Sequence, residues 1–292
     1  MDVTLLHTYS LLSLKFITVY CNFVPKQHSN SIFITNHYEI EINTDAFFYF
    51  SNIIYQVFLK IMKKNLYVLL LFILFVQSST SHAWHDKTHI AIAKAAGYQY
   101  WFNAAGADIA KIKAGDIEEK NHYYNNYENA PVTDKMVLDQ IKLYNSPSDN
   151  EGHLYGAIVA ALRDYQRMKS SGKYAEYHMA FAVHYIGDLS QPLHNLPYDH
   201  FNKIHHLAND GIVDDDILDK IKEIEKNMYE IKLANDNFEE DLAKEIARIA
   251  NISRQLGMKL KADNRNMTKE EAYAQLGHSA SLLRAVLNSL QQ

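Results

Sequence analysis

The chain has 292 residues, 29 basic against 34 acidic side chains, a net charge of −5 and 48% hydrophobic residues. With one cysteine and ten glycines, it is neither a disulfide framework nor a collagen-like repeat, and it is too apolar for a disordered tail. The acidic balance offers no polybasic footprint for duplex DNA or anionic lipid.

Residues 1–61 hold Cys21 and are crowded with Phe, Tyr, Ile and Asn without a sustained period. They read as an upstream extension outside the working protein, with Met62 as the working start. From Met62 come two lysines, an unbroken apolar run from Leu66 to Val76, and the exit Ser81-His82-Ala83. A short basic region, an apolar stretch of this size and a small-x-small exit predict a secretory signal peptide over 62–83. The run is too short to span a bilayer, which takes about 20 residues. The expected product is secreted or periplasmic, with no membrane span in the mature protein.

A cut after Ala83 leaves Trp84–Gln292, with 24 basic and 30 acidic residues, so 24 − 30 = −6. That length predicts a single domain, 84–292. This part has no cysteine and eleven of the fifteen histidines, so a bound metal would take nitrogen and oxygen ligands.

Helical periods dominate it. Asp86 to about Phe102 carries Ile90, Ala93 and Ala96 on one face. Thr133 is a candidate N-cap for a run through Leu143, closed by Asn145-Ser146-Pro147. Glu151–Lys169 and Tyr174–Leu189 follow, parted by Ser170-Ser171-Gly172, and Pro192 and Pro197 then interrupt the pattern. Asp214–Ala234 and Phe238–Leu256 read as amphipathic helices, and Thr268 with Glu270 and Glu271 starts a last helix through Leu290. The predicted class is all-α, a single compact multi-helix domain.

The strongest local signal is His184-Tyr-Ile-Gly-Asp188-Leu-Ser-Gln-Pro192-Leu-His194. His184 and Asp188 are one helical turn apart on an apolar stretch, where an unpaired carboxylate would be costly. Pro192 breaks the helix and can return His194 to the same face. A second pair, His206 and Asp210, has the same spacing, with His205 and Asn209 as the competing pair. Upstream, Asp116 and His122 lie in a short connection where Glu118 and Glu119 are competing acids, and Trp84 heads the mature chain five residues before His89.

Together these motifs resemble the zinc-dependent phospholipase C superfamily, which includes the single-strand-specific zinc nucleases. The resemblance runs from Trp84 to about Asp210. It implies an all-α domain holding three Zn2+ ions. Trp84 would bind one through its α-amino nitrogen and carbonyl oxygen, with His89. Asp188 would bridge that ion to a second, also held by Asp116, His122 and His184. His194, His206 and Asp210 would hold the third, and Asp116 would act as the catalytic base. One feature departs from the family's pattern: Asp116 and His122 are six apart, where the family has a longer connection. The metal ligands would thus lie in 84–210, with amphipathic helices in 211–292.

The expected function is a secreted zinc phosphodiesterase cleaving phospholipid to diacylglycerol and a phosphorylated head group. The alternative substrate is single-stranded nucleic acid, for which Lys111, Lys113, Tyr123, Tyr124 and Tyr127 are candidate contacts. A non-catalytic metal-storage protein would use the same ligands but leave no coordination position for water.

Overall fold

The computed structural model describes residues 49, 52–63, 84–170 and 174–290. The chain divides into two units, Met1–Ser79 and Thr80–Gln292. In the first, residues 52–63 are helical. Most of the expected signal peptide, 64–83, lies outside the described residues.

The second unit is all-α, with no strand among the described residues. Its helices are α1 (Asp86–Ala96), α2 (Gly106–Ala114), α3 (Asp116–Glu119), α4 (Asp134–Gln140) and α5 (Leu154–Lys169). They are followed by α6 (Ala175–Leu189), α7 (His200–Asp210), α8 (Ile221–Lys226), α9 (Phe238–Asp263) and α10 (Lys269–Leu290). Short 3-10 turns, among them Pro192–Asn195, connect them.

The centre of the unit is the pair α5 and α6, packed along each other. Leu154 to Leu162 of α5 and Met179 to Leu189 of α6 are buried without a break. A helix apolar on all sides has no solvent face, and α1, α9 and α10 close around this pair. Among the described residues the core is drawn entirely from Trp84 onward, so this unit carries its own hydrophobic centre.

Local chemistry explains the ends. Thr133 caps α4 by accepting the Met136 N–H at 3.2 Å, as its position suggests. At α10, Thr268 and Glu271 form a reciprocal capping box: Oγ1 accepts the Glu271 N–H, and the Glu271 carboxylate accepts the Thr268 N–H.

Three boundaries differ from the sequence reading. α1 stops at Ala96 instead of Phe102, because Gly97 turns left-handed at φ 88° and returns its N–H to the helix end. α2 forms over a stretch that carries no element in the sequence reading, and α3 forms within the connection around Asp116. The expected helix over 214–234 shrinks to a 3-10 turn and α8, which bury only Ile217 and Ile224.

α9, by contrast, runs on to Asp263. Its Gly257 stays bare because a Cβ there would sit 2.8 Å from Leu196 Cδ1 and 3.0 Å from the Pro192 carbonyl. The 3-10 turn after α6 therefore seats directly on α9.

Candidate metal centre

The buried stretch of α6 carries an imidazole and a carboxylate, His184 and Asp188, both with no exposed surface. Neither is tolerable there unpaired. Elements on every side supply partners: α1 brings His89, α2 Asp108, the loop after α3 His122, the 3-10 turn His194, and α7 His206 and Asp210. They converge as three groups able to hold a cation: His89–Asp108–His184, His122–His184–Asp188, and His194–His206–Asp210. His184 belongs to two of them.

Asp188 occupies the middle. Its Oδ1 lies 3.3 Å from His89 Nε2 and 3.8 Å from His194 Nδ1; its Oδ2 lies 2.9 Å from His122 Nδ1 and 3.5 Å from His184 Nε2. His89 stacks on His184 with ring centroids 3.7 Å apart. That closeness depends on Gly187, where a Cβ would come within 2.4 Å of His89 Nδ1.

Three imidazoles have their tautomers fixed by oxygen acceptors. His184 donates Nδ1–H to the Ala104 carbonyl at 2.8 Å, and His194 donates Nδ1–H to the His122 carbonyl at 2.7 Å. His206 donates Nδ1–H to Asn202 Oδ1 at 2.6 Å. The Asn202 amide is itself oriented, since its Nδ2 donates to the Leu193 and Pro197 carbonyls. In the neutral form each ring then has a lone pair on Nε2. For His194 and His206 those two nitrogens face each other at 3.2 Å. Two lone pairs at that distance repel unless a proton or a cation lies between them.

Several carboxylate and imidazole atoms add to this. His89 Nδ1 and Nε2, Asp108 Oδ1 and Oδ2, His122 Nε2, His184 Nε2, Asp188 Oδ1 and Asp210 Oδ2 are all buried without a hydrogen bond of acceptable geometry. Ion-pair distances do connect them, at 3.3 Å for His206–Asp210 and 3.7 Å for His184–Asp108. A tetrahedral ion with ligands at about 2.0–2.1 Å holds neighbouring ligand atoms about 3.3–3.4 Å apart. The observed separations match such an edge better than they match hydrogen bonds. Buried His/Asp clusters here can hold metal ions.

Electrostatics agree with that donor set. Burial pushes His184 down to about 3, with His89 adding to the effect, and burial pushes His194 down to about 4. Both are therefore neutral, the form a metal requires. Burial would raise Asp108 and Asp188, but the surrounding imidazoles, His184 first, hold both well below the carboxylate range. Asp210 moves the other way: burial raises it, and the charges of Asp188 and Asp108 add to this against the Gln191 hydrogen bond. His122 reaches about 9 despite its burial, through hydrogen bonds to Asp188 and Glu118.

Glu118 explains the orientation of His122. Its buried carboxylate accepts the Tyr185 hydroxyl at 2.5 Å and the Asn121 amide at 3.3 Å, and faces His122 Nε2 at 3.4 Å. A carboxylate behind the second nitrogen of a ligand histidine steers the ring and raises its basicity.

Of the residues expected from the sequence, His89, His122, His184, Asp188, His194, His206 and Asp210 are brought together. Asp116 is not. It is exposed at the start of α3, and Asp108, eight residues earlier on α2, takes the place beside His184. α2 turns its Gly106 and Ala107 side towards α6, which carries Asp108 inward. Between the two histidines in competition, His206 faces the cluster while His205 stacks on Phe201 and bonds Asn266. Trp84 has no exposed surface and enters α1 five residues before His89.

Compared with known families, curated proteins and solved structures, the chain matches none.

Sequence reasoning missed Asp108, Glu118's support of His122, and Asn202. A signal for Asp108 was present in the spacing: counted from Asp108, the connection to His122 is fourteen residues instead of six.

Proposed function

We propose that the domain is an exported zinc-dependent phosphodiester hydrolase of the phospholipase C kind, acting on phospholipid. The observation that carries the reading is the facing pair His194 Nε2 and His206 Nε2, beside the Asp188-centred cluster. These groups are all nitrogen and oxygen and all buried, and the oxygen acceptors behind His184, His194 and His206 leave their Nε2 lone pairs inward. Replacing Asp116 by Asp108 removes the one departure from the superfamily's spacing.

His89, Asp108, His122, His184 and Asp188 would hold two zinc ions, with the α-amino nitrogen of Trp84 completing the first in a chain cut after Ala83. His194, His206 and Asp210 would hold a third. Bound zinc would supply Lewis acidity towards a phosphoryl oxygen and lower the pKa of an attacking water.

The chain's own groups do the rest. Asp108, kept ionised, faces His184 through Oδ2 and has its Oδ1 on the side of His122 and Lys111. That carboxylate takes the position expected of Asp116 and, held ionised, would orient the attacking water by accepting its hydrogen bond. Lys111, drawn to 3.1 Å from the same oxygen, adds positive charge for an anionic diester. Asn202 and the His122 carbonyl hold His206 and His194 in register.

The deciding experiment assays zinc-loaded and chelated protein beginning at Trp84 on phosphatidylcholine vesicles and on single-stranded DNA. Zinc-dependent release of phosphocholine supports the reading. Cleavage of the DNA alone assigns the site to the nuclease alternative, and cleavage of neither substrate by protein with full metal content rejects an esterase role. The outer face of α2 favours phospholipid, because its exposed Ile109 and Ile112 offer aliphatic surface to acyl chains.

A further inference from the structure

α2 has two unlike sides. Its inner side carries Asp108 to the metal cluster and lays Gly106 and Ala107 towards α6. Its outer side shows Ile109, 63% exposed, and Ile112, 75% exposed. Just before it, Phe102 is 58% exposed, and Tyr100 and Trp101 are 38% exposed. Their rings meet edge to face in sequence, and Lys94 lies over the Trp101 ring at 4.7 Å.

Large aliphatic side chains that open to water are costly and serve no packing role here. The charge along this stretch is equally uneven. From Lys87 to Gly115 there are four lysines and a single carboxylate, Asp108, which is buried in the cluster. Lys111 is turned in to Asp108 and Lys87 pairs with Asp214, which leaves Lys94 and Lys113 as the exposed lysines beside these apolar side chains, in a domain whose 24 basic and 30 acidic residues leave it net negative.

We infer that Tyr100–Gly115 is an interfacial docking segment that seats the domain on an anionic phospholipid surface. Aliphatic side chains enter the acyl boundary, tyrosine and tryptophan settle at head-group depth, and lysines meet the anionic head groups. The same short helix holds Asp108, so docking brings one wall of the metal cluster to the interface from which a lipid would be drawn. This deepens the phospholipase reading and rests on it for its purpose, though not for its test.

The test compares zinc-loaded protein from Trp84 with the double variant Ile109→Ser/Ile112→Ser. Both positions are largely exposed and neither is part of the buried core. Co-sedimentation is measured with vesicles of phosphatidylcholine containing phosphatidylglycerol, and hydrolysis on the same vesicles and on short-chain phosphatidylcholine below its micelle concentration. The variant is expected to lose vesicle binding and vesicle turnover at least about tenfold while keeping turnover of the monomeric lipid. Replacing phosphatidylglycerol by more phosphatidylcholine should weaken binding of the unaltered protein.

Vesicle binding equal in the two proteins overturns the inference. So does a concentration-dependent dimer that the variant abolishes, or binding of oligo(dT) without binding of vesicles. Vesicle binding that depends on the isoleucines, with no hydrolysis of either lipid form, would leave docking standing and reject the phospholipase reading alone.

Discussion

Removing metal should cost the folded domain a large part of its stability. Eight buried side-chain atoms around Asp188 and Asp210 lack a hydrogen bond of acceptable geometry. An unsatisfied buried polar atom costs about 1–3 kcal/mol, which would total about 8–24 kcal/mol. Whole domains have only about 5–15 kcal/mol. The ion pairs at 3.1–3.9 Å recover part of this, as would water entering the emptied cluster. If only a third of the low-to-middle range survives, roughly 3–5 kcal/mol of stability depends on metal. For a domain of this size each kcal/mol is worth about 2–4 °C, so chelation should lower Tm by about 6–20 °C. Scanning calorimetry on protein from Trp84, before and after dialysis against a strong chelator, reads the shift, and zinc should restore it. A Tm that moves by less than about 2 °C while metal analysis confirms removal would refute the reasoning, since the polar cluster would then be satisfied without a cation.

Other changes probe separate parts of the arrangement. Asp188→Asn, which removes the charge shared by His89, His122 and His184, should lose at least one equivalent of bound zinc, read by mass spectrometry of the metal-loaded protein. Gly187→Ala would force His89 away, since the new Cβ would meet its Nδ1 at 2.4 Å; reduced zinc content with the helical signal retained is the expected outcome. His278 lies below its ordinary pKa through burial and the nearby Arg248, and its Nδ1 accepts the Tyr229 hydroxyl at 3.0 Å. The unfolded chain therefore binds more protons, so this contribution is complete above about pH 6.5 and is lost as pH falls below it; urea midpoints should decline less steeply with acid in His278→Gln than in the parent. An alanine placed before Trp84 should weaken one zinc site relative to protein starting at Trp84, because the proposed chelating amine and carbonyl would then belong to the wrong residue; equal zinc stoichiometry would remove the N-terminus from the ligand set.

What could be read from the sequence was what local spacing determines. His184 and Asp188 are tied by the helical turn and His194 by the proline break. His206 and Asp210 are tied in the same way, and burial of Met179 to Leu189 follows from an unbroken apolar run. Asp108 escaped because α2 shows its isoleucines to solvent. A helix whose most apolar residues face outward reads as no core element, and its inward carboxylate then has no face to belong to. The end of α1 escaped for a simpler reason: Gly97 within an alanine-rich period reads as part of the apolar face, and only its left-handed φ shows it to be a stop. The choice of His206 over His205 was only partly local, since it depends on Asn202, one turn upstream, and on Asn266, sixty-one residues downstream of His205.

That last dependence changes how the two parts of the domain relate. By sequence the expected ligands fall in 84–210, and the amphipathic helices of 211–292 belong to the same domain without a stated part in the site. Yet Ser279 of α10 donates its hydroxyl to the Ile186 and Gly187 carbonyls, at the turn of α6 that carries Asp188. Gly257 of α9 seats Pro192 and Leu196, which bracket His194. The Met267 N–H is accepted by Asn209 at 2.7 Å, directly beside Asp210. Each ligand-bearing element after residue 180 is therefore held from behind by a contact from beyond residue 250. A cluster of buried charges tolerates little displacement, because every carboxylate there is paired at distances a small shift would break. The C-terminal helices contribute no residue to the three His/Asp groups, but they set where those groups stand, so the candidate metal centre depends on helices throughout 84–290.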